Sequence, residues 1–105
     1  MNISTNCNDK NYTLNLIRQN MNLFDSFNNV FLFGSILHPD KNHHDIDILL
    51  IYSVYSEQLL KDVNCIYNTL NKASILPIDL TVLSIDEEKE LDFLKKQNFN
   101  YLKIK

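Results

Sequence analysis

Two apolar runs too short to be helices, residues 30–33 and 46–52, flank a polar loop that begins at the only glycine of the chain, Gly34. A continuous apolar run of four to eight residues bounded by turn residues is the pattern of a buried strand. The centre of the chain therefore reads as strand, loop, strand. The first strand, residues 30–33, ends at Gly34. The loop, residues 35–44, contains Pro39, Asp40 and all three histidines, and the second strand covers residues 45–53.

Around this centre the apolar spacing is helical. Leu14, Ile17, Met21, Phe24 and Phe27 recur every three or four residues and predict one helix that stops at Asn28 and Asn29. Residues 56–72 carry Leu59, Val63, Ile66 and Leu70 at the same spacing. A third strand follows at residues 78–83, with Asp79 and Thr81 on one face and Ile78, Leu80 and Val82 on the other. A Ser84 to Glu87 capping box opens a last helix through Leu91 and Leu94 to about Gln97, and residues 99–104 form a short edge strand or an ordered tail. The expected class is α+β, a small mixed β-sheet with flanking helices. Residues 1–11 are polar and aperiodic and read as a flexible arm, leaving residues 12–105 as one domain.

The composition narrows the function. A net charge of −3 argues against broad binding to a nucleic-acid backbone. The lysines at 95, 96, 103 and 105 are expected to be a solvated helix end and tail. No apolar run approaches the roughly 18 residues of a membrane span, and the polar start has neither the basic nor the apolar part of a signal peptide, so the expected location is cytoplasmic. Two cysteines form no disulfide framework and no zinc spacing; both are expected to be reduced, with Cys65 in the core. Tyr52 and Tyr55 are expected to pack.

The chemistry concentrates at the loop. In an extended strand Asp45 and Asp47 point to one face, about 7 Å apart, while Ile46, Ile48 and Leu50 face the other way. Ionised carboxylates at the start of an apolar strand need a cation or a partner, and hard cations such as Mg²⁺ take oxygen ligands. If the third strand lies beside the second, Asp79 joins them. Three acids around one point suit two divalent ions that clamp the oxygens of a phosphoryl displacement. Gly34 lets an anion approach backbone N–H groups and Ser35 adds a hydroxyl donor. The rival metal reading, a His-Asp cluster at residues 43–47, places all of its histidines in one loop, where solvent exposure is their expected state.

Gly34 and Ser35, nine further residues, then Asp45, Ile46 and Asp47, with Asp79 on a following strand, resemble the signature of the DNA polymerase β-like nucleotidyltransferases, in particular the minimal nucleotidyltransferases. The resemblance covers residues 13–104. It implies a polymerase β palm-like sheet, with Gly34 and Ser35 on the β- and γ-phosphates of a nucleoside triphosphate such as ATP. Asp45 and Asp47 would hold two Mg²⁺ ions, and Asp79 the catalytic one. It also implies transfer of a nucleoside monophosphate to a hydroxyl, with release of pyrophosphate. Many minimal members are antitoxins that add AMP to a tyrosine of a HEPN-domain toxin, and RNA is a further acceptor to test. Where relatives carry an arginine after Gly-Ser, this chain has Ile36, Leu37, His38 and Pro39, leaving His38, Lys41 or His43 as donors. That departure keeps a second reading open, a binding module that neutralises its partner by occlusion. A third is a domain completed by a companion chain, as part of an oligomer.

Overall fold

The computed structural model describes residues 6–38, 45–98 and 100–105. Four strands, β1 (Asn29–Phe33), β2 (Ile46–Tyr52), β3 (Ile78–Ser84) and β4 (Tyr101–Lys103), form one sheet in the order β3-β2-β1-β4. The β1–β2 and β1–β4 pairs are antiparallel and β2–β3 is parallel. The parallel pair requires a crossover, which is helix α2 (Glu57–Ala73). The expected α+β class with a mixed sheet is what forms, and residues 101–103 are an edge strand rather than a tail.

Alternation along the strands divides the apolar residues between two layers. Val30 and Leu32 of β1 with Ile46, Ile48 and Leu50 of β2 pack against Ile17, Phe24, Phe27, Leu59, Ile66 and Leu70 from the helical side. On the other face Phe31, Phe33, Leu49, Ile51 and Leu83 form a second layer, against which Ile85, Phe93, Leu94 and Tyr101 pack. Helix α2 uses the predicted stripe, and its Ser56 cap accepts a hydrogen bond from the Leu59 N–H at 3.1 Å.

Helix α1 (Asn6–Gln19) begins within the stretch that reads as an arm. Once Leu14 and Ile17 are buried, each preceding residue adds one helical hydrogen bond at little further entropy, and Asp9 in the first turn complements the helix dipole. The helix also ends sooner than its apolar spacing suggests. Asn20 donates its side-chain amide to Leu16 O at 2.8 Å, and a 3₁₀ turn follows at Met21–Phe24. Phe24 and Phe27 reach the core through that tighter turn.

The last helix is broken too, into α3 (Ile85–Leu91) and α4 (Phe93–Lys96), because Asp92 adopts the left-handed conformation with φ 50°. Glu88 stabilises the break by accepting the Leu94 N–H at 3.2 Å. The kink leaves Leu91 exposed and turns Phe93 onto Phe33, edge to face, with centroids 5.3 Å apart. The Ser84 to Glu87 capping box is present as read. Two expectations fail: Cys65 is an exposed free thiol on the outer side of α2, and Tyr55 is exposed beyond the end of β2. Tyr52 does pack against the core. Lys95, Lys96 and Lys103 are exposed, whereas Lys105 turns back to donate its ammonium to Phe24 O at 2.9 Å. Among the described residues no helix is long and apolar enough to cross a membrane.

Candidate metal and phosphate site

The face of the sheet that carries Phe33 and Leu49 also carries the acids. The parallel register sets Asp47 opposite Asp79, and the antiparallel one sets Phe33 opposite Asp47. Paired residues share a face, so all three side chains project to one side. Asp45, just before β2, lies two residues from Asp47 and projects the same way. Carboxylate oxygens of Asp45, Asp47 and Asp79 lie within 4.8 Å of one another. Asp45 and Asp47 are half-buried and Asp79 is exposed, which opens the cluster to solvent along the β3 side.

Three like charges this close disturb one another. The Asp47 carboxyl is raised from 3.8 to about 6, chiefly by burial, then by the charges of Asp45 and Asp79, and by its hydrogen bond with Asp79. The folded protein thus holds this proton more tightly than the unfolded chain does. The stability of the metal-free protein that this group governs is greatest below pH 3.8 and is lost as the pH rises through about 6. A divalent cation reverses the penalty. Added Mg²⁺ should raise the thermal midpoint at about pH 7 by several degrees and much less at about pH 5, where protons compete for the same oxygens. Melting curves with Mg²⁺ and with a chelator at the two pH values check this.

Gly34 closes the site from β1. Its φ of 86° and ψ of −158° belong to a region that is essentially restricted to glycine. A Cβ on Gly34 would overlap Asp47 Oδ2 and lie 3.3 Å from Asp47 Cγ. The glycine therefore serves two ends, a turn that side chains resist and room for the carboxylate of the neighbouring strand. Ser35 follows as the first residue of a 3₁₀ turn, Ser35–Leu37, in which Leu37 N–H donates to Gly34 O at 3.2 Å. Ile36 of this turn is buried.

The residues read from the sequence as a site are thus brought together, Gly34 against Asp47 and Asp47 against Asp45 and Asp79. His38 is half-buried at the end of the turn; Lys41, His43 and His44 lie outside the described residues. Sequence reading missed the apolar wall beside the acids, Phe33 with Phe93 against it. Phe33 belongs to an unbroken apolar run that shows no faces, and Phe93 reaches the wall only through the kink at Asp92. Among the described residues the donor set fits a hard divalent cation: three carboxylates, two of them half-buried and that of Asp47 destabilised by its neighbours, with neither sulfur nor imidazole among the converging groups.

No family profile matches the sequence, and no curated protein is significantly similar to it. Among solved structures, a "putative nucleotidyltransferase" from Sulfolobus solfataricus superposes with a TM-score of 0.53 at 19% identity, covering 85% of this chain and 82% of that one. At this identity the likeness concerns the fold, and the fold of the chain is that of a small nucleotidyltransferase-like α+β domain.

Proposed function

We propose that the chain is a Mg²⁺-dependent nucleotidyltransferase that moves AMP from ATP to a hydroxyl acceptor, with a tyrosine of a HEPN-domain toxin as the preferred acceptor. The observation that carries the chemistry is the convergence of the Asp45, Asp47 and Asp79 carboxylates beside the Gly34 turn. The choice of ATP and of the toxin rests on the sequence resemblance.

In this reading Asp45 and Asp47 would hold two Mg²⁺ ions, with Asp79 as a further ligand to one of them. Such ions, when bound, would supply charge stabilisation to the phosphoryl oxygens and lower the pKa of the acceptor hydroxyl. The Gly34 turn would present backbone N–H groups to the β- and γ-phosphates beside the acids, and the Ser35 hydroxyl would donate to them. Asp79, the most open of the three acids, receives the acceptor proton. The acceptor oxygen bonds to the α-phosphorus, the bond to the β-phosphate oxygen breaks, and pyrophosphate leaves with that electron pair.

Labelled ATP tests the reading. Label on the α-phosphate, and not on the γ-phosphate, should pass to the toxin when Mg²⁺ is present, and Asp45→Ala should abolish the transfer. Equal labelling by wild type and Asp45→Ala, or no transfer to toxin or RNA together with no calorimetric binding of ATP and Mg²⁺, rejects it.

One observation favours the occlusion reading. The turn after Ser35 presents Ile36, which is buried, and Leu37, which packs against the core. The only arginine, Arg18, is on α1, the helix packed on the opposite side of the sheet. Tight binding to the toxin without binding of ATP and Mg²⁺ would establish that alternative.

A further inference from the structure

Among the described residues strand β3 is paired along one edge only. Ile46 lies opposite Ile78, and the Ile46 N–H donates to Pro77 O at 2.9 Å. In a parallel ladder this phase directs the peptide groups of residues 77, 79, 81 and 83 toward β2, and those of 78, 80, 82 and 84 outward. Both ends of the outer edge are capped from within the chain. Ile78 N–H donates to Asn71 Oδ1 at 3.3 Å, and Ser84 N–H donates to Glu87 Oε1 at 2.9 Å. Between the caps, the N–H and C=O groups of Leu80 and Val82 have no hydrogen-bond partner among the described residues.

Soluble proteins blunt such edges with lysine, proline or a bulge. Between Ile78 and Ser84 there is no lysine and no proline, the one charged residue, Asp79, is drawn into the acid cluster with Asp45 and Asp47, and the register runs without a bulge. The order capped, free, free, capped is moreover its own antiparallel complement. A twofold axis through Thr81 sets Leu80 opposite Val82 of a second copy, and the reverse, completing four hydrogen bonds. Ile78 then falls opposite the Ser84 position, where both amides are already satisfied and pairing stops.

The side chains agree with this arrangement. Leu80 and Val82 are half-buried apolar residues on the α2 face, and meeting across the axis would continue that apolar layer. Ile75, 86% exposed, precedes one end of β3, while Val54 and Tyr55, 74% and 61% exposed, follow Tyr52, which pairs with Ser84 at the other end. Antiparallel pairing carries the first end of one copy to the second end of the other, so these apolar groups gather at the same two places.

We propose that β3 pairs antiparallel with β3 of a second copy of this chain, about Thr81, making one continuous sheet with both acid clusters on the same face. The inference rests on backbone geometry and stands whether or not the nucleotide chemistry does. With four hydrogen bonds and a narrow apolar contact the dimer should be weak, with a dissociation constant of about 0.1 mM.

Sedimentation equilibrium and amide hydrogen exchange on the wild-type chain test it across that concentration. A reversible dimer is expected, with exchange at Leu80 and Val82 slowing about tenfold as it forms. Val82→Pro removes an outward donor that the β2 ladder does not use. It should remain monomeric while the amides of Asp79, Thr81 and Leu83 stay protected. Should that variant not fold, the concentration dependence of wild-type exchange decides alone. A monomer throughout, or a dimer in which exchange at Leu80 and Val82 does not change, overturns the proposal.

Discussion

Asp47→Asn should lower the proposed nucleotidyl transfer by about a thousandfold while making the metal-free protein more stable at neutral pH. The first effect follows from losing a charged group where, in the proposed reaction, bound cations would stabilise several kcal/mol of developing charge, each 1.36 kcal/mol being about tenfold in rate. The second follows from removing a half-buried charge that two neighbouring carboxylates oppose. Because the group is partly exposed, the gain is a fraction of the full linkage energy, about 1 kcal/mol or about 5 °C in the melting midpoint. An asparagine amide can donate to Asp79, so the variant keeps a partner in place. Transfer assays and denaturation with a chelator, at about pH 7 and about pH 4, check both halves. The stability difference should shrink to a small fraction at the lower pH, where Asp47 of the folded wild type is protonated. A variant that is equally active, or less stable than wild type at neutral pH, would contradict the electrostatic account of the site.

Gly34→Ala should destabilise the fold by about 2–4 kcal/mol, the sum of a backbone conformation that alanine resists and a Cβ pressed into the Asp47 carboxylate. If the protein relaxes by pushing that carboxylate aside, divalent-ion affinity falls with stability. The two costs can be separated. In the double variant Gly34→Ala with Asp47→Ala the colliding oxygen is gone and only the backbone strain remains. The double variant should therefore be about 1–2 kcal/mol more stable than the sum of the two single changes predicts. Urea titrations of the four proteins close the cycle. Strict additivity would mean that Gly34 is needed for its turn alone.

The main elements of the fold and the arrangement of the acids were legible because each depends on a local period. Strand alternation puts Asp45 and Asp47 on one face whatever the rest of the chain does, and Asp79 joins them as soon as β3 lies parallel to β2. The breaks were not legible. Leu91 and Leu94 continue a helical stripe, and only the left-handed turn at Asp92 replaces Leu91 by Phe93 in the packed layer. Asn20 interrupts the first stripe in the same way, by a side-chain hydrogen bond that leaves no periodic trace. The exposure of Cys65 and Tyr55 depends on how far α2 and the end of β2 are covered by other elements, which spacing along one segment does not encode. Pairing of the last strand with β1, rather than with β3, was likewise open to a reader of the sequence, since an edge strand is compatible with either side.

That last pairing governs how the molecule can assemble. Val30 donates to Lys105 O and accepts from Ile104, and Asn29 bonds to Lys105 across 76 positions of chain. The parts of the sheet that bear the acids and the crossover helix can form from nearby segments, but the far side of β1 waits for a long loop closure. Contacts of such sequence separation form slowly, so the rate-limiting event in folding should be the arrival of the last five residues at a sheet whose acidic end is already in place.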